Sequence, residues 1–158
     1  MKNALTDTQT ELNQKEFHGR YTQCDHLHLT LSFIGEYSDP DGILEIMERV
    51  YCEPVKLTLS GYIGNFSALL GSGIEQCPEL DRYVKQLRHA LADAKPTFDR
   101  KKFHPHITLL RNAQSRYDFK AISVRKASMT VQKISLMRSV FGKHGAVYTE
   151  IGSVEASK

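Results

Sequence analysis

Few of the features that mark a membrane, secreted or metal-built protein are present in this chain. No apolar run approaches the roughly 20 residues needed to span a bilayer, and no basic-then-apolar leader opens the sequence. Cysteine is scarce. Cys24, Cys52 and Cys77 are an odd number without metal-ligand spacing, which points to reduced thiols in a cytoplasmic protein. No low-complexity tract suggests disorder. Asp and Glu are not clustered as a two-metal nuclease would require. The formal charge is only +3 over 158 residues, and 41% of the residues are apolar, enough for a core. That length fits a single domain, residues 1–158, built as two small lobes.

What is present is a repeat. His28-Leu29-Thr30-Leu31 returns as His106-Ile107-Thr108-Leu109, in a chain with seven histidines. Around the first copy, residues 26–34, polar and apolar residues alternate. Leu27, Leu29, Leu31 and Phe33 share one face; His26, His28, Thr30 and Ser32 share the other, as in a half-buried strand. In the second copy, residues 103–111, Phe103, Ile107 and Leu109 oppose His104, His106 and Thr108. Each His and its Thr then stand side by side, about 7 Å apart along a strand.

The flanking patterns repeat as well. Residues 3–16 form a weak helical candidate, and Asp39-Pro40 opens a helix carrying Ile43, Leu44, Ile46, Met47 and Val50. From Pro78 to about Ala94, Leu80, Tyr83, Val84, Leu87 and Leu91 fall at helical spacing before Pro96. Strands are expected at 55–59, 68–74, 128–136 and 146–151. Gly71 and Gly73 in the second of these pack nothing of their own. Each half reads as helix, motif strand, helical connection, strand, and the second half adds a strand before its helix. The expected class is α+β: a duplicated, two-lobed fold of antiparallel-rich sheets backed by helices. A central cleft brings the motif strands together, and the first half lacks an N-terminal strand.

Histidine gives or takes a proton near neutral pH. Two of them allow one general acid and one general base, and neighbouring hydroxyls hydrogen-bond an oxyanion. A phosphodiester fits that inventory without metal or other cofactor.

The stretches DHLHLTLSFIGE (Asp25 to Glu36) and FDRKKFHPHITLLR (Phe98 to Arg111) resemble the two-histidine phosphoesterases, most of all the RNA 2′,3′-cyclic phosphodiesterase or 2′-5′ RNA ligase branch. The likeness runs from Gly19 through VKLTLSG and ELDRYVKQLRHAL. It implies hydrolysis of a 2′,3′-cyclic phosphate to a 2′-phosphomonoester. On this resemblance His28 is the proton donor, His106 the proton acceptor, and Thr30 and Thr108 bind phosphate. RNA with a cyclic phosphate end, or a cyclic nucleotide, is then the substrate. No membrane and no obligate protein partner are expected. The residues alone leave the acid and base interchangeable. Members of the branch begin with a strand of the type RLFIAL, the element the repeat also finds missing.

Other residues have narrower readings. His26 and His104, each two residues before a motif His, are expected as solvent-facing strand-end residues rather than metal ligands. Arg100, Lys101 and Lys102 before the second motif, with Arg111 and Arg116 after it, form a basic cluster suited to a phosphate-rich substrate. Arg111 is a candidate substrate contact that recurs in the family, although strict alternation sets it on the face opposite His106 unless a bulge intervenes. Phe33 is expected in the core. Tyr21 and Tyr37 flank the first motif as candidate base-stacking residues, with partial burial the plainer reading. His144 sits in a turn between two strands, and His18 and His89 on helical surfaces. The alternatives to hydrolysis are 2′-5′ RNA end-joining, hydrolysis of a small cyclic phosphate at the same site, and an RNA- or nucleotide-binding module without turnover.

Overall fold

The computed structural model describes residues 1–50, 53–66, 68–94, 98–143 and 145–156; Cys52, Pro96 and His144 lie outside them. Among these residues three α-helices, α1 (Lys2–Gln14), α2 (Pro40–Arg49) and α3 (Pro78–Ala94), accompany seven strands. The strands are β1 (His18–Tyr21), β2 (Val55–Asn65), β3 (Leu69–Ile74), β4 (His106–Gln114), β5 (Ser128–Val131), β6 (Lys133–Gly142) and β7 (Gly145–Glu155). A five-stranded sheet runs in the order β1-β4-β3-β2-β5, and β6 pairs with β7 in a second sheet. The class is α+β with antiparallel pairing, as the patterns predict.

The helices follow their apolar spacing. In α3 the five expected side chains, Leu80, Tyr83, Val84, Leu87 and Leu91, are all buried. Each contributes roughly 1.5–3 kcal/mol of apolar burial. α2 opens as Asp39-Pro40 suggests: the Asp39 carboxylate accepts from the Gly42 amide at 3.0 Å, and Pro40 needs no amide partner in the first turn. α1 buries Ala4, Leu5, Thr8 and Leu12.

The chain divides into two compact units that interleave the two halves of the sequence. The first comprises Met1–Thr30, Lys56–Cys77 and His104–Met129; the second comprises Leu31–Val55, Pro78–Phe103 and Thr130–Lys158. Both His-Thr motifs therefore belong to the first unit, rather than one to each half.

The strands depart from the expected elements at three points. The segment 26–33 is not a regular strand. A short helical turn at Cys24–His26 leads into it, and it pairs only through one antiparallel bridge, Leu29 with Ile107. A one-bridge ladder buries little, so Leu27 and Leu29 are only half-buried. Strand β2 runs on from Leu59 to Asn65, because Gly61 at φ +87° absorbs the shift in register against β3. The expected strand over 128–136 is two strands that part at Gln132.

In the second unit, α2 lies against β7. A side chain at Gly152 would come within 2.7 Å of Leu44, so the glycine admits the helix. Phe33, expected in the core, is 64% exposed. Arg88 on α3 donates to the carbonyls of Lys101 (2.7 Å) and Leu31 (3.1 Å), and its guanidinium lies over the Phe103 ring. One side chain thus ties down Leu31, the last residue of the first tetrad, and the approach to the second.

Candidate active site

The two imidazoles are held in the same way. His28 Nδ1 lies 2.6 Å from the carbonyl oxygen of His26, and His106 Nδ1 lies 2.7 Å from that of His104. A carbonyl only accepts, so each Nδ1 is the donor and carries the proton. The neutral tautomer then has its lone pair on Nε2, where proton exchange takes place. His26 and His104 serve the motifs through their backbone, a role that the alternation pattern did not reveal.

The bridge between Leu29 and Ile107 sets the relation of the motifs. In an antiparallel pair the flanking residues oppose each other in reverse order. His28 is therefore set opposite Thr108, and Thr30 opposite His106. Regular pairing about that bridge would direct all four side chains to the face opposite Leu29 and Ile107, with the histidines as diagonal neighbours. Ile107 is buried, Thr108 and His106 are half-buried, and His28 and Thr30 are exposed. The result is a polar face with approximate twofold symmetry, offering two proton-transfer groups and two hydroxyls.

The bed under His106 comes from residues that the sequence reading missed. The Phe66 ring stacks on the His106 imidazole, with centroids 4.1 Å apart and planes 10° from parallel. Two glycines make room. A Cβ at Gly64 would meet the Phe66 ring at 2.7 Å, and one at Gly71 would come within 3.3 Å of the His106 ring and 3.0 Å of the Ile107 carbonyl. Gly64 and Gly71 are cross-strand partners. Gly71, expected to pack nothing, is what lets β3 pass beneath the imidazole.

Arg111 is on the face that carries His106 and Thr108, contrary to strict alternation. Along β4, Thr108 pairs with Gly71 and Leu110 with Leu70, so Leu109 is an extra residue in a bulge. Leu109 and Leu110 are both fully buried. Two consecutive core residues turn the alternation over and return Arg111 to the side of His106 and Thr108. The only hint in the sequence was the double leucine.

The remaining candidates separate. Tyr21 pairs with Leu110 and so belongs to the opposite face; its hydroxyl donates to the Phe17 carbonyl at 2.7 Å, and burial pushes its pKa up. Tyr37 is half-buried in the second unit. Arg116 is engaged by Glu16 at 2.8 Å. Arg100, Lys101 and Lys102 are exposed residues of the second unit, with Arg100 over Phe98. His18 begins β1, and His89 on α3 lies 3.7 Å from Asp93. Among the described residues no three His, Cys, Asp or Glu side chains gather closely enough to hold a metal ion. The larger of two marked hollows, about 710 Å³, runs along α3 past Arg82, Lys85, His89 and Phe98 and contains no motif residue. The chemistry-bearing residues are on a sheet face instead.

Residues 4–142 match the model of the 2′-5′ RNA ligase superfamily. The chain belongs to that superfamily. It is 31% identical over 142 residues to the RNA 2′,3′-cyclic phosphodiesterase of Escherichia coli (strain K12), covering 84% of this chain and 77% of the relative. To the enzyme of the same name from Aeropyrum pernix it is 28% identical over 153 residues, covering 84% of each. Among solved structures, E. coli LigT complexed with 3′-AMP superposes with a TM-score of 0.86 at 25% identity, over 100% of this chain and 94% of LigT. A crystal structure described as a phosphoesterase gives 0.83 at 26% identity, over 100% and 94%. Within the superfamily fold, both His-Thr motifs of this member fall on one unit.

Proposed function

We infer that the chain hydrolyses RNA 2′,3′-cyclic phosphate ends to 2′-phosphomonoesters, with two histidines and no metal. The enzyme class, a cyclic phosphodiesterase, follows from superfamily membership and from the names of the relatives. The mechanism is supported by one observation above others: the antiparallel bridge between Leu29 and Ile107, the residues between each His and its Thr.

In this reading His106 Nε2 takes a proton from water as the water oxygen bonds to phosphorus. The bond from phosphorus to the 3′ oxygen breaks, and His28 Nε2 delivers its proton to that oxygen. The proton count balances when His28 starts as the imidazolium and His106 as the neutral ring, and exchange with solvent restores both before the next turnover. Thr30 and Thr108 hydroxyls hydrogen-bond the non-bridging oxygens, where charge builds up in the transition state. The acid and base assignment comes from family resemblance, since the two units are symmetric. No helix among the described residues is long and apolar enough to cross a membrane. The cysteine pattern supports action in the cytoplasm.

Purified protein is incubated in EDTA with a short RNA ending in a 2′,3′-cyclic phosphate, and the product is identified. The expected product is the 2′-phosphomonoester. A 3′-phosphomonoester, or turnover only when metal is restored, contradicts the reading. RNA end-joining is the same displacement with an RNA 5′-hydroxyl attacking phosphorus in place of water and the 3′ oxygen leaving, and it is read in the same assay when a 5′-hydroxyl acceptor is added.

A further inference from the structure

The register of β1 against β4 makes Arg20 and Arg111 cross-strand partners. Directly opposed side chains share one face at a separation of about 5 Å. Like charges there are destabilising unless something between them is negative. The first unit has four arginines. Two are neutralised within it: Arg116 by Glu16 at 2.8 Å and Arg125 by Asp7 at 3.2 Å. Arg20 and Arg111 form no ion pair among the described residues. Arg20 is exposed, Arg111 is half-buried, and Gly19 beside them lets the backbones close: a Cβ there would sit 2.6 Å from the Arg111 carbonyl.

Place matters as much as charge. The bulge at Leu109 turns this pair to the side of His106 and Thr108. Thr108 and Arg111 are three positions apart on β4, about 10 Å or less at strand rise. The geometry points to a phosphate-binding site formed by Arg20 with Arg111, three positions along β4 from Thr108 and five from His106. Two guanidiniums flanking one anion satisfy it through paired N–H donors and remove their own repulsion. Arg20 is thereby assigned a binding role that none of the motifs carries. The phosphate is either the cyclic group itself or the next phosphodiester upstream in the RNA. The site rests on the function inferred above, and its tests separate the two.

The first test is direct. Arginine side-chain NMR signals are followed in the whole chain as inorganic phosphate is added. The Arg20 and Arg111 signals are expected to shift together, with one midpoint, and Arg20→Gln is expected to weaken phosphate binding at Arg111 about tenfold. Unmoved signals, or an Arg111 response unchanged in Arg20→Gln, overturn the site.

The second test uses stability. Arg20→Gln is expected to raise the melting temperature of phosphate-free protein by about 1–3 °C, because repulsion is relieved. A fall shows that Arg20 stabilises the free fold instead, and overturns the argument from repulsion.

The third test uses substrate. In Arg20→Gln, KM is expected to rise about tenfold with little change in kcat. A rise for both a cyclic mononucleotide and a cyclic-ended dinucleotide assigns the pair to the cyclic phosphate. A rise for the dinucleotide alone assigns it to the upstream phosphodiester. No rise for either overturns the proposal. Should the wild type hydrolyse nothing while phosphate still moves both arginine signals, the inferred function fails and the anion site stands.

Discussion

At the scale of single residues, the site depends as much on what is small as on what is reactive. His106 is bounded by an aromatic ring and by a glycine whose missing side chain leaves it room. An aromatic pair of this geometry is worth about 0.5–1.5 kcal/mol. Phe66→Ala is therefore expected to lower kcat/KM about three- to tenfold, while Phe66→Tyr keeps most of the activity. The upfield ring-current displacement of the His106 ring protons should disappear in Phe66→Ala and persist in Phe66→Tyr. If those protons stay put in Phe66→Ala, the stack does not orient the imidazole. Gly71→Ala is the sharper probe, since its new carbon presses on both the ring and the Ile107 carbonyl. Activity is expected to fall further than stability when assayed side by side with urea unfolding. The histidines and threonines were plain in the sequence because the repeat names them. Phe66 was not, because its link to His106 crosses between strands 40 positions apart in the chain.

At the scale of elements, legibility follows the strength of the periodic signal. The five apolar residues of α3 all proved to be buried, and Asp39-Pro40 opens α2 by the capping chemistry that the pair suggests. The motif segment at 26–33 alternates just as clearly, yet it forms one bridge. Alternation states which side chains share a face, but hydrogen bonding needs a neighbour of matching length. The double leucine at 109–110 broke the alternation of β4, and only the register shows that the break is a bulge.

Arg88 belongs to this scale because it joins a helix to two loop carbonyls. The bond to Leu31 is partly buried and the bond to Lys101 is exposed; a charge-assisted hydrogen bond contributes roughly 1.5–3 kcal/mol when shielded and less in contact with water. Arg88→Ala is expected to cost about 2 kcal/mol in urea unfolding, and Arg88→Lys to recover little, since an ammonium lacks the fork that reaches both carbonyls. A loss below about 0.5 kcal/mol would show that the tie is replaced by water.

At the scale of the whole molecule, stability against pH follows from ion pairs on its surface. The hydrogen bond and charge of Lys2 hold the Asp25 carboxyl below its ordinary range, and Lys133 with Ser135 does the same for Glu150. In return, Asp25 raises the pKa of Lys2, and Glu75 raises that of Lys126. A lowered carboxylate stabilises above its unfolded pKa, and the contribution is lost as pH falls through the folded value. A raised lysine stabilises below its unfolded pKa, and the contribution is lost as pH rises through the folded value. For these groups the expected profile is level from about pH 5 to about pH 10, with a decline on either side. All four groups face solvent, so the slopes should be shallow and flattened by salt. Denaturant midpoints across pH, at low and high salt, measure this. Asp25→Asn should reduce the acid slope. An acid slope unchanged by Asp25→Asn would remove that pair from the account. The interleaving of the units belongs to this scale too. The repeat sets one His-Thr pair in each half of the sequence, and long-range strand pairing, which local pattern does not encode, brings both pairs into one unit.

The central claim is that His28 and His106 act as one acid–base pair on a cyclic phosphate. The measurement that tests it most directly is kcat/KM on a 2′,3′-cyclic nucleotide in EDTA for His28→Ala, His106→Ala and the double variant. Each single change is expected to remove about 10²- to 10⁴-fold. The double variant should lose little more than the worse single one, because groups that work as a unit do not add. Near-full activity in either single variant, or losses that multiply in the double one, would contradict the pair.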